Sequence, residues 1–233
     1  MTCSKTRDGL LSPLIAGGWL DAATNVALKS PGRPKDLEKR EAILDAAARL
    51  FALRGVEGVP IEAIAAEAGV SKVTVYANFK DKAALLAAIV VRETCRLGRE
   101  FDAISGSEGS LADRLIRLGD RLVGTLNEPS HVAMDRCLSI AAVEHPELGQ
   151  QFFEAGPGHL RHVIAEMLTD ADRRGEIEAP DPMAAAEDLL GLWFGFRSIE
   201  SRFMGKKIED PDTLLKHIRR TVGLFLQIHS PKT

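Results

Sequence analysis

Gly69-Val-Ser-Lys-Val-Thr-Val-Tyr-Ala-Asn-Phe-Lys-Asp-Lys82 decides the fold of this chain. It reads as the second half of a helix-turn-helix. Gly69 suits the left-handed backbone of a tight turn, and Ser71 is a good N-cap for the helix that follows. Val75 and Phe79 are spaced to face inward together. Lys72, Thr74, Tyr76 and Asn78 are then left facing outward. A cation, two hydroxyls and an amide are the groups that bind phosphates and base edges of double-stranded DNA. Just upstream, Ile61 to Ala68 (IEAIAAEA) sets Ile61, Ile64, Ala65 and Ala68 at a helical period. Ala65, Gly69 and Val75 supply the small residue, turn glycine and buried aliphatic that such a unit needs, the small residue letting the two helices cross closely. The competing reading is a plain helical hairpin packed in a core.

With those residues in place, positions 33 to 86 resemble the DNA-binding domain of the TetR family of transcriptional regulators. The resemblance is carried by Arg40-Glu-Ala-Ile-Leu-Asp-Ala-Ala-Ala-Arg-Leu-Phe51, Gly55, Ile64-Ala-Ala-Glu-Ala-Gly-Val-Ser71, Thr74-Val-Tyr76, Phe79 and Lys82-Ala-Ala-Leu85. More loosely, His145-Pro-Glu-Leu-Gly-Gln-Gln-Phe-Phe-Glu-Ala-Gly-Pro157 and Arg174-Gly-Glu-Ile177 resemble the ligand-binding domain of AefR-like members. The resemblance implies a homodimer formed through the last two helices and a Tyr76 hydroxyl on backbone phosphate. It also implies release from DNA when a ligand shifts the helix that begins at Lys82. One departure stands out. The family commonly begins the helix at Ile61 with a Ser or Thr that caps it and binds phosphate, whereas Val59 and Pro60 occupy those places here. Glu62 adds an acid near the DNA.

The 233 residues are 45% hydrophobic, ample for a packed core, and the formal net charge is −3. DNA affinity must therefore come from a local surface rather than bulk charge. Lys29 to Lys35 holds Lys29, Arg33 and Lys35 with no acid, and Gly69 to Lys82 sets three lysines against Asp81. Cys3, Cys95 and Cys137 are widely spaced and odd in number, which argues against a disulfide framework or a zinc site. A reducing cytoplasm is expected, with no cofactor and no metal. No run approaches the roughly 20 apolar residues that span a membrane. Lys5 and Arg7 before an apolar Leu10 to Leu20 have some signal-peptide character, but Asp8, Pro13 and Gly17-Gly18 interrupt it.

The chain reads as all-α, about nine helices by apolar periodicity, with three parts. Residues 1–30 form a poorly ordered extension, 31–82 the helix-turn-helix domain, and 83–233 a helical ligand-binding and dimerisation bundle. Pro31-Gly-Arg-Pro34 reads as a non-helical linker. The first helix is expected over Leu37 to Leu53, burying Ile43, Ala47, Leu50 and Phe51 and ending at Gly55. Asp81 is expected to cap a helix running to about Ile104, at the domain boundary. Further helices are expected from Leu111 and from His131 to Val143, with a short piece over Glu147 to Glu154 and then a helix opened by Gly156-Pro-Gly158 and closed by Gly175. The last two run from Pro182 to Met204 and from Pro211.

Leu189-Leu-Gly-Leu-Trp-Phe-Gly-Phe196 is apolar nearly all round, which calls for burial on both sides. A second subunit is the expected cover, with Leu190, Gly191, Phe194, Gly195, Ile218 and Phe225 as dimer-interface candidates and the Gly191/Gly195 pair permitting close backbones. An unidentified, partly apolar small molecule is expected in the bundle, with Met134, Cys137, Phe152, Met167, Trp193, Phe196 and Arg197 as candidate contacts. Arg33, Lys35, Ser71, Lys72, Thr74, Tyr76, Asn78 and Lys82 are the DNA-binding candidates. Arg33 and Lys35 belong to an arm that could enter the minor groove.

Together these point to a ligand-responsive regulator, most simply a repressor, binding a palindromic operator as a homodimer through the helix at Lys72. No nucleophile elbow, phosphate loop or metal-ligand spacing suggests an enzyme. The alternative is a TetR-fold protein acting mainly through protein partners, which Pro60 and Glu62 keep open.

Overall fold

Two apolar cores joined through one shared helix account for the architecture. The computed structural model describes residues 34–204 and 210–231. The extension expected over residues 1–30 lies outside these, as does Arg33. The described residues are all-α, as expected, with no strand among them.

α1 spans Pro34–Arg54. It starts earlier than Leu37 because proline pre-sets the backbone angle of a first helical residue and has no N–H to leave unpaired there. Pro34 therefore opens the helix rather than closing a linker, and Lys35 sits in its first turn. Ile43, Ala46, Ala47, Leu50 and Phe51 face inward. Gly55, at φ 71°, ends the helix, and its N–H donates to the Phe51 carbonyl at 2.9 Å.

α2 (Ile61–Glu67) and α3 (Lys72–Asn78) form the helix-turn-helix. Gly69 turns between them at φ 66°, while the Val70 N–H donates to the Ala65 carbonyl at 3.0 Å. Pro60 stands at the N-cap of α2 and supplies no side-chain cap. Val59 is fully buried, so the position that could carry a phosphate-binding hydroxyl packs the core instead.

α4 (Lys82–Ser105) is capped by Asp81, which accepts from the Ala84 N–H. α5 (Leu111–Leu126) opens on a capping box of Ser110 and Asp113. α6 (Pro129–Glu144) and α7 (Pro146–Phe153) follow, each with proline in the first turn. α8 (His159–Arg173), α9 (Pro182–Met204) and α10 (Pro211–Ile228) complete the bundle.

The first core gathers α1 to α3, the N-terminal half of α4, Leu138 of α6 and Leu148 of α7. The second gathers Phe101 of α4 with α5, α8, α9 and α10. Gly119 marks its tightest crossing, because a Cβ there would lie 2.8 Å from Trp193 Cε2 and 2.9 Å from Ile218 Cγ2.

Two details differ from the sequence expectation. Gly156-Pro-Gly158 does not open a new helix. The chain passes through it as one π-helical turn, Glu154–Gly158, so α7 runs on into α8. The wider turn accommodates Pro157, whose missing N–H would break an ordinary helical ladder. The other is a break in α9 at Gly195, with φ 44° and ψ −145°, a conformation other residues avoid. Ring nitrogen Nε2 of His217 on α10 lies 3.1 Å from the Trp193 carbonyl oxygen next to this break, a satisfied acceptor where the ladder is interrupted. Gly195 is thus a backbone break in α9, with no atom within 4 Å of an added Cβ at either Gly191 or Gly195.

Replacing Gly119 by alanine should destabilise the protein by roughly 1–3 kcal/mol through overpacking, read as a lower urea midpoint. Gly124→Ala, whose new Cβ would meet only Leu214 Cδ2 at 4.0 Å, should be neutral or stabilising by up to about 1 kcal/mol.

Candidate nucleic-acid interface

α3 is held by its neighbours, which leave one face open. Val75 is fully buried and Phe79 nearly so. The Arg40 guanidinium covers the Phe79 ring at 4.5 Å from its centroid. Arg49 of α1 pairs with Glu67 of α2 at 3.0 Å. Arg92 of α4 reaches Glu41 at 3.1 Å and Asp45 at 2.8 Å on α1. The helix-turn-helix is thereby braced against α1, and α1 against α4.

Ser71 caps α3, as its sequence position suggested. Its Oγ accepts from the Thr74 N–H at 3.1 Å and lies 2.8 Å from the Thr74 hydroxyl. Thr74 is half-buried, and its hydroxyl is already engaged. Asn78 is also half-buried, and its Nδ2 donates to the Thr74 carbonyl at 2.8 Å. Neither side chain stands as openly on the outer face as the helical period alone suggested.

The cations are also engaged. Lys72 Nζ lies 2.5 Å from Glu62 Oε1 of α2, with both groups exposed. This bond holds the Glu62 carboxyl below its ordinary pKa and raises that of Lys72. The same ammonium lies 5.8 Å from the centre of the Tyr76 ring. Lys82 Nζ donates to the Val56 and Glu57 carbonyls at 3.0 and 3.1 Å and to Glu57 Oε2 at 3.2 Å. In this arrangement it ties the turn after α1 to the start of α4 rather than reaching outward for phosphate. Arg33 and the side chain of Lys35 lie outside the described residues.

What α3 does present outward is Lys72, Val73, Tyr76 and Ala77. Tyr76 is 49% exposed and Val73 77%. Val73 is not among the DNA-binding candidates named from the sequence, which are all polar. The signal was available, since a helix that buries Val75 and Phe79 turns Val73 away from the core.

The candidate effector residues do not come together. Met134, Cys137 and Phe152 pack in or against the first core, Met167 and Trp193 belong to the second, and Phe196 is 83% exposed. Cys137 Sγ lies 3.4 Å from the Phe51 carbonyl oxygen, and burial pushes its thiol pKa up. A shallow cleft of about 240 Å³ lies elsewhere, between the start of α5 and the end of α10, lined in part by Leu111, Ile177 and Leu226.

The dimer candidates divide. Gly191 and Gly195 are exposed, whereas Leu190 and Phe194 pack partly on the second core. Ile218 and Phe225 are buried inside the protomer itself, which removes them from any subunit contact. The stripe of α10 that meets α5 uses Ile218, Val222 and Phe225, so its outward stripe holds Leu224 and Ile228 instead. With Phe196, Ile199 and Phe203 these form the exposed apolar residues of α9 and α10.

Comparison with known proteins agrees with this geometry. Residues 43–89 match the bacterial regulatory proteins of the tetR family, and residues 113–231 match the C-terminal domain of AefR-like transcriptional repressors. The chain belongs to the TetR family of helix-turn-helix transcriptional regulators. An uncharacterized HTH-type transcriptional regulator of Mycobacterium tuberculosis is 29% identical over 170 residues, 73% of this chain and 79% of that protein. A TetR-family regulator from Mesorhizobium loti superposes with a TM-score of 0.79 at 26% identity, covering 85% of this chain and all of that one (100%). The flavonoid-responsive regulator FrrA superposes with a TM-score of 0.66 at 28% identity, covering 84% of this chain and 98% of that one. No helix among the described residues is long and apolar enough to cross a membrane.

Because Glu62 pairs with Lys72 at the open edge of α3, Glu62→Gln should leave the ammonium available to a phosphate. Binding to any duplex should then tighten severalfold at low salt, and the slope of log affinity against log salt should steepen by about one. Fluorescence anisotropy over a salt series reads both.

Proposed function

We propose that this TetR-family protein is a ligand-responsive repressor that binds a palindromic operator as a homodimer through α3. A partly apolar small molecule in the C-terminal bundle releases it. The observation that carries this reading is the open face of α3, braced on α1 and α4 within a TetR fold. The AefR-like repressor match supports repression, and the exposed apolar residues of α9 and α10 support pairing of two copies there. We place the functional division near Lys82, with the helix-turn-helix before it and the bundle after it, in a cytoplasmic protein.

The likeness to a flavonoid-responsive regulator supports an effector of aromatic or otherwise apolar character. Trp193 adds a second hint, because its indole N–H is buried with no hydrogen-bond partner. Buried donors are ordinarily satisfied, so an effector that accepts a hydrogen bond at this point would suit the bundle. Effector binding would favour a conformer with α4 displaced, so that the two α3 helices no longer match major grooves about 34 Å apart. Another reading, action mainly through protein partners, draws on the pairing of Lys72 with Glu62 and the internal engagement of Lys82.

Anisotropy with duplexes enriched from a random pool, and with the chain's own upstream region, tests the proposal. Sequence-selective binding should appear and weaken with rising salt. Tyr76→Phe should weaken it by roughly tenfold or more, since each subunit loses a hydrogen bond to a charged phosphate. Leu224→Lys should leave the fold intact, shift sedimentation towards monomer and abolish selective binding. Equal affinity for enriched and scrambled duplexes would favour the protein-partner reading.

A further inference from the structure

We propose that Val73 determines operator specificity by packing against the 5-methyl group of a thymine in the major groove. The assignment rests on the reading of α3 as the DNA-contacting helix. Its basis is what the open face of that helix lacks and what it offers. The groups that would ordinarily read bases through hydrogen bonds each have a partner within the protein. Lys72 pairs with Glu62 at 2.5 Å, Thr74 bonds Ser71 at 2.8 Å, and Asn78 bonds the Thr74 carbonyl at 2.8 Å. Val73 stands 77% exposed among them, with Ala77 one turn further along the same face.

Thymine carries the one apolar group on the base edges of the major groove. An apolar side chain facing cytosine or adenine there would cover an amino group without bonding it, and a buried donor left unbonded is costly. Facing thymine, it removes two apolar surfaces from water at once. Valine suits the task because its side chain is nearly locked to one rotamer in a helix, so little freedom is lost on contact. Its place in the first turn of α3 also fits, since recognition helices touch base edges with their N-terminal residues. Tyr76, 49% exposed beside it, is positioned to reach the flanking phosphate and fix the register.

The test uses a duplex enriched from a random pool on the immobilised full-length protein. Each thymine is replaced in turn by deoxyuridine, which deletes only the methyl group, and affinity is read by anisotropy. In the wild-type protein, deoxyuridine at one symmetry-related pair of positions should weaken binding roughly fourfold per half-site, the worth of one methyl-sized group. Val73→Ala should weaken binding to the thymine duplex by a similar factor and become indifferent to thymine or deoxyuridine at that pair. Sensitivity elsewhere should persist. The proposal is overturned if Val73→Ala keeps the wild-type discrimination at every position, or if no deoxyuridine substitution affects the wild-type protein. Failure to enrich any duplex is a different result, in which the DNA-contacting reading of α3 fails and this assignment falls with it.

Discussion

Burial of the two halves of α4 in two different cores is the constraint on which the rest of the structure depends. Leu85, Leu86, Ile89 and Val90 pack with the helix-turn-helix, while Phe101, flanked by Leu97 and Ile104, packs with the bundle. Each fully buried side chain of this size contributes roughly 1.5–3 kcal/mol. Ion pairs also follow the helix, Arg92 to Glu41 and Asp45 at one level and Glu100 to Arg121 at 2.5 Å at another. Partly exposed pairs of this kind contribute only about 0–1 kcal/mol each. Apolar burial therefore holds α4 in both cores, and the ion pairs set its register against α1 and α5. In the proposed function, α4 is the element through which a change in how α5 or α8 meets its C-terminal half would reach α1 and α3.

The same bracing explains the character of the open face of α3. Lys82 is spent internally, on the turn after α1, and Lys72 is matched by Glu62. In a chain of net charge −3, two of the three lysines between Gly69 and Lys82 are thus engaged within the protein, while Lys80 stays exposed. Binding that leans less on phosphate neutralisation must lean more on shape and base contact. An exposed valine beside an exposed tyrosine fits that balance.

The sequence was most legible where a single residue type meets a local geometric demand. Gly55 and Gly69 sit at positive φ, Ser71 and Asp81 cap their helices, and Val75 and Phe79 are buried. These outcomes follow from backbone sterics and helical period, which act within a few residues. What could not be read depends on partners distant in sequence. Nothing local tells that Lys82 will find the carbonyls of Val56 and Glu57, or that Lys72 will meet Glu62 rather than phosphate. The apolar pattern of α10 places Ile218, Val222 and Phe225 inward but does not tell whether that stripe meets its own protomer or a second copy, which is why Ile218 and Phe225 stand among the dimer candidates and Leu224 does not. The break at Gly195 is hidden for a related reason. Two glycines in an apolar helix resemble a close-packing motif, and only the His217 ring near the Trp193 carbonyl, together with the φ of 44°, shows that the helix is interrupted.

Hydroxyl-radical footprinting of the protein on its enriched duplex tests the central claim most directly. A dimer presenting two copies of α3 predicts two protected patches, related by two-fold symmetry and about 34 Å apart along the duplex. A single patch, or uniform weak protection with no preferred site, would contradict it.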